Sequence, residues 1–68
     1  MIIVRVPYQA NGLRAADLGL AIGKWCIDSG LTYEADYTWH LASLSKQVHV
    51  TLNDDHESVA SLLALRWI

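Results

Sequence analysis

The chain has 68 residues, 53% of them apolar, and a formal net charge of −2. A single domain covering residues 1–68 is the most this length supports, and a domain this small buries only ~60% of its unfolded surface. Its five basic residues, Arg5, Arg14, Lys24, Lys46 and Arg66, are scattered, so there is no basic stripe to follow a nucleic-acid backbone.

The first element is a strand. Ile2, Val4 and Val6 alternate with Ile3 and Arg5, and Pro7 ends the run. Asn11-Gly12 carries turn chemistry. A helix is expected from about Arg14 to Ser29, with Arg14, Asp17, Lys24 and Asp28 on one polar stripe and Gly30 as its left-handed stop. Arg14/Asp17 and Lys24/Asp28 have the spacing of helical ion pairs. Ala15, Gly19 and Gly23, with Cys26 nearby, form a stripe of small residues opposite the polar one. Two interior glycines cost ~1 kcal/mol each relative to alanine, so close packing against a neighbour is expected there. Leu18 and Trp25 flank one side of this stripe, and Leu13, Leu20 and Ile27 flank the other.

The stretch Tyr33–Leu52 reads as a hairpin. Tyr33, Ala35, Tyr37, Trp39 and Leu41 alternate with Glu34, Asp36, Thr38 and His40; after a turn near Ser43–Lys46, Val48, Val50 and Leu52 alternate with Gln47, His49 and Thr51. The simplest register opposes Leu41 to Val48, Trp39 to Val50 and Tyr37 to Leu52, and it brings His40 opposite His49. The second helix is signalled by Asp54 as N-cap with Glu57 as its capping-box partner, followed by a stripe of Val59, Leu62, Leu63 and Trp67.

The order is βαββα. This predicts an α+β domain, a three-stranded antiparallel sheet with two helices on one face. It is a truncated ferredoxin-like arrangement, lacking the last strand. In that arrangement the missing strand would leave the first strand as an open edge.

Catalytic signatures are absent: there is no phosphate loop, nucleophile elbow, Rossmann fingerprint or zinc-type Cys/His spacing. The expectation is therefore a non-enzymatic chain with no cofactor. His40 and His49, with Asp36 and Thr38 on the same polar face, are the sharpest metal candidate. A pair of imidazoles without fixed further ligands reads more simply as a solvated sheet face, so no metal site is assigned. Asp54, Asp55 and Glu57 could attract a basic partner, but a capped helix start accounts for them. Cys26 cannot form an intramolecular disulfide and sits on the small-residue face, as an inert buried thiol would. Met1 leads straight into a strand-like run with no basic n-region, and charges interrupt every apolar stretch. Neither a signal peptide nor a membrane span is expected, and the reading is a cytoplasmic protein.

More large apolar side chains are present than so small a core should absorb, and exposed patches mark association surfaces. The sequence therefore points to a protein-binding module that regulates or inhibits a larger protein. Its partner would cover the free edge at Ile3 and Arg5 and one flank of the first helix, at Leu20 and Ile27. Chains of this kind are common among phage and mobile-element proteins, which is an association only. Two other readings are a homo-oligomer that binds a small molecule or metal through His40 and His49, and an oligomeric enzyme with an intersubunit site.

Overall fold

A computed structural model describes all 68 residues. Strands β1 (Ile2–Pro7), β2 (Tyr37–Ala42) and β3 (Gln47–Leu52) form one antiparallel sheet in the order β1-β3-β2. Helices α1 (Ala15–Asp28) and α2 (Glu57–Trp67) cover one face of it, α1 over β2 and β3 and α2 over β1. This is the expected α+β architecture, and its strand order is consistent with a ferredoxin-like sheet lacking its last strand.

Alternation decides which face is buried. Val4 and Val6 from β1, Tyr37 from β2, and Val48, Val50 and Leu52 from β3 turn under the helices, where they meet Leu18, Ile22 and Cys26 of α1 and Ala60, Leu63 and Trp67 of α2. β3 is the central strand, so its apolar face is sealed completely: Val48 and Val50 have no exposed surface. The hairpin register follows from the same pattern. Tyr37 faces Leu52, Trp39 faces Val50, Leu41 faces Val48 and His40 faces His49, as the parity of the two runs requires. Slipping by one residue would send the whole valine face into water.

The end of α1 illustrates local control by sequence. Gly30 takes φ 89°, in the left-handed region. The Leu31 amide donates to the Cys26 carbonyl at 3.0 Å and the Gly30 amide to the Ile27 carbonyl at 2.9 Å. These are the two bonds of a Schellman stop, and the buried Leu31 supplies its apolar contact. Along α1, the glycines answer the expected close packing. A Cβ on Gly19 would lie 2.4 Å from Cη2 of Trp39, so the indole ring occupies the space that any larger residue would need. The Tyr37 hydroxyl donates to the Gly23 carbonyl at 3.3 Å.

Four expectations are corrected. β2 begins at Tyr37, four residues later than the alternation suggested. β3 runs out at Leu52, so residues 33–36 have no strand to pair with. They fold instead into a turn in which Glu34 takes φ 70°, the Asp36 carboxylate accepts the Thr32 amide at 2.7 Å, and the Asp36 amide donates back to the Thr32 carbonyl at 2.8 Å. The capping box does not form. Asp54–His56 is a 3₁₀ turn preceding α2, and the Asp54 carboxylate pairs with the Met1 amine. The buried stripe of α2 is Ala60, Leu63 and Trp67, which leaves Leu62 exposed. Finally, Arg14 and Asp17 pair at 2.9 Å, but Lys24 and Asp28 do not pair. Both of these side chains stand in water, where an ion pair recovers less than ~1 kcal/mol against the entropy of holding two long chains.

Candidate functional site

The sheet has two edges, and backbone parity sets what each presents. The Asn53 amide donates to the Asp36 carbonyl at 3.2 Å. In an antiparallel ladder the N–H and C=O of one residue point the same way and those of the next point oppositely. The odd-numbered residues of β3 therefore turn to β2 and the even-numbered ones to β1. Because Val4 opposes Val50, Val4 and Val6 bond to β3, and the N–H and C=O of Ile3 and Arg5 project from the free edge. Two observations agree. Pro7 has no N–H to lose on that outward side, and its carbonyl is taken up by the Asn11 side chain at 2.9 Å. Ile3 is 41% exposed, and Arg5 is the only charge on the strand.

Leu20 and Ile27 are also exposed, at 70% and 61%, but they lie elsewhere. Trp25 is the side of α1 that meets α2, through an edge-to-face contact with Trp67 at 5.9 Å. Gly19 and Gly23 are the side that meets Trp39 and Tyr37 of β2. Leu20 and Ile27 follow the glycine side at helical spacing, so they overhang the β2 edge. The four expected docking residues thus divide between opposite edges of the sheet, and no single flat surface covers Ile3, Arg5, Leu20 and Ile27 together.

The helix flank that does adjoin Ile3 and Arg5 belongs to α2. This helix starts beside Met1, through Asp54, and ends beside Pro7 and Asn11, where the Asn11 side chain donates to the Trp67 carbonyl at 3.0 Å. It therefore runs antiparallel to α1. Two antiparallel helices side by side on one sheet turn equivalent flanks outward. For α1 that flank is the Gly19–Leu20–Ile27 side; for α2 it is Glu57, Ser61, Ala64, Leu65 and Ile68. Leu65 is 82% exposed and Ile68 69%. With Ser61 and Ala64 they line an open groove of about 540 Å3. The sequence signal was present: Val59, Leu62, Leu63, Leu65 and Trp67 cannot all reach one face of an eleven-residue helix.

His40 and His49 meet as expected, edge to face at 5.2 Å. Asp36 does not join them. It accepts from Thr32 and lies 3.1 Å from Nε2 of His56. The Thr32 amide first, and then His56, hold its carboxyl below the ordinary carboxylate value. The histidine row continues to Arg5 on β1, and His49 Nε2 lies 3.3 Å from Oε1 of Gln47. A metal cation there would face a guanidinium and no carboxylate. Beside Asp36 is a small polar hollow that includes Glu34, Thr38, Thr51 and Asn53. Cys26 is buried, and desolvation pushes its thiol up to about 11, so at neutral pH it carries no thiolate for nucleophilic or redox chemistry. No helix is long and apolar enough to cross a membrane.

Comparison of the chain with family models, with curated proteins and with solved structures yields no match.

Proposed function

We propose that the chain is a non-enzymatic protein-binding module that docks onto a larger protein and regulates or inhibits it. The observation that carries this reading is the pairing of an unprotected sheet edge with a helix flank whose large apolar residues stand in water. Unpaired N–H and C=O groups template another chain, and natural edges are usually blunted by charges, bulges or covering loops. β1 has Arg5 alone. Leu65 and Ile68 beside it are the kind of exposed aliphatic surface that a partner removes from water, at ~25 cal/mol per Å2. Docking is therefore assigned to the β1 side. Leu20 and Ile27, over β2, form a separate apolar surface.

Ile3→Pro is the informative variant. It deletes an outward N–H without removing a bond to β3. The tagged chain, its Ile3→Pro variant and its Leu20→Asp variant are each passed through lysate of the native host, and complexes are weighed by native mass spectrometry. The expected result is a stoichiometric heteromeric complex with the wild type and Leu20→Asp that is lost with Ile3→Pro. Loss with Leu20→Asp alone would move docking to the β2 side. A wild-type chain that recovers no stoichiometric partner, or only copies of itself, would overturn the proposal.

A further inference from the structure

We infer that the β1 side is built to receive one extended strand from the partner, laid antiparallel to β1 beneath the outward flank of α2. This rests on the docking proposal and specifies its occupant. The argument begins with widths. Packed helices lie ~8–10 Å apart and strands ~4.8 Å apart, so two helices side by side roof about four strands. This sheet has three. α1 takes β2 and β3, and α2 is left over β1 alone, so its outer flank extends past the end of the sheet. The groove lined by Ser61, Ala64, Leu65 and Ile68 lies along that overhang. Below it are the free N–H and C=O groups of Ile3 and Arg5. The space is one strand wide, with a hydrogen-bonding wall and an apolar roof.

The same geometry argues against a second copy in that place. A β1 strand from another copy, paired antiparallel across a two-fold axis, would bring its own α2 over the span that the first α2 already roofs. Only a strand without a helix above it fits. Residues of that strand opposite Ile2, Val4 and Val6 share the buried face, so they should be apolar and β-branched to fill the space under Ala64, Leu65 and Ile68. Residues opposite Ile3 and Arg5 lie on the open face, beside Thr51 and His49, and should be polar.

Charge sets the remaining preference. Asp55 and Glu57 are exposed and make no ion pair, and they lie at the Met1 end of β1, where Asp54 holds the terminal amine. An antiparallel occupant places its C-terminal end there, so a lysine or arginine at that end complements the site.

The test uses the heptapeptide Lys-Val-Thr-Val-Thr-Val-Lys, capped at both ends and titrated into the 15N-labelled full chain. Saturable shifts and slowed exchange are expected at the Ile3 and Arg5 amides. They should be absent with Lys-Pro-Thr-Pro-Thr-Pro-Lys, absent in Ile3→Pro, and about tenfold weaker in affinity for Leu65→Asp. Replacing both lysines by glutamate should weaken binding about fivefold; equal affinity would overturn the charge preference. No change at Ile3 and Arg5 up to millimolar peptide, or protection at Trp39 and Leu41 on the other edge, would overturn strand addition. The two proposals fail separately. A partner that still binds Ile3→Pro leaves docking intact and removes the strand, whereas peptide binding without any host partner leaves the site intact and removes the regulator.

Discussion

Two glycines four residues apart on α1 make opposite demands. Gly19 has the Trp39 ring where a Cβ would go, with three ring carbons at 2.4, 2.5 and 2.9 Å. At Gly23 a Cβ would make ordinary contacts, 3.8 Å from the Tyr37 hydroxyl and 3.9 Å from Nε1 of Trp39. Gly23→Ala should therefore collect the helix-propensity gain, about 0.5–1 kcal/mol in urea unfolding. Gly19→Ala should lose about 1–3 kcal/mol to the displaced indole and shift tryptophan emission. In a Trp39→Val background that loss should vanish, and a loss that persists would mean the ring is not its cause. Asp36 supplies a pH-dependent contribution at the same scale. The Thr32 amide and His56 lower its folded value below the ordinary 3.8, so the stability it adds is complete above that value and disappears as pH falls through the lower folded one. Asp36→Asn should be less stable than the wild type at pH 5–6, and the gap should close by about pH 2. A gap of constant size from pH 6 to pH 2 would show that the carboxylate is not the source.

The rotation of α2 about its axis is the element-level result on which the candidate site depends. Leu63 has no exposed surface, whereas Leu65 is 82% exposed. Leu63→Ala should cost about 2–5 kcal/mol and Leu65→Ala no more than about 0.5 kcal/mol, both by urea denaturation. Equal costs would mean the helix is turned otherwise. This rotation was also the part hardest to read from sequence. The helix is aliphatic almost all round, so a stripe of Val59, Leu62, Leu63 and Trp67 fits the periodicity as well as Ala60, Leu63 and Trp67 does. A small alanine wins the buried place because α2 sits close over β1. The hairpin register, by contrast, was fully legible, because a period of two allows only one parity to bury Tyr37, Val48, Val50 and Leu52 together. The start of β2 was not: Tyr33 and Ala35 keep the alternation, but a strand needs a partner, and β3 ends at Leu52. The capping box failed for a similar reason. Asp54 has the right spacing to Glu57, yet the Met1 amine, 53 residues away in sequence, competes for its carboxylate.

At the scale of the molecule, βαββα order was enough to place β1 at an edge, and Ile3 and Arg5 were identified there correctly. Leu20 and Ile27 were correctly expected to be exposed. What sequence order could not supply was which helix stands beside which edge, since that depends on the side-by-side packing of α1 and α2 through Trp25 and Trp67. The β1 edge is therefore completed by residues 61–68, and not by the first helix. The same arrangement has a mechanical consequence. Met1 lies at the Ile2 end of the sheet and the last turn of α2 at the Pro7 end, held there by Asn11. Tension applied between the two ends of the chain would load the β1–β3 ladder along its length, so that its bonds resist together in shear instead of parting one by one. In a single-molecule pulling experiment the chain should withstand higher force from its ends than when pulled between Lys46 and Ile68. That second geometry draws on β3 from the hairpin tip and spares β1, and equal rupture forces in the two geometries would contradict it. A small domain without a disulfide would then be toughest along one axis, the axis on which a docked strand would also be pulled.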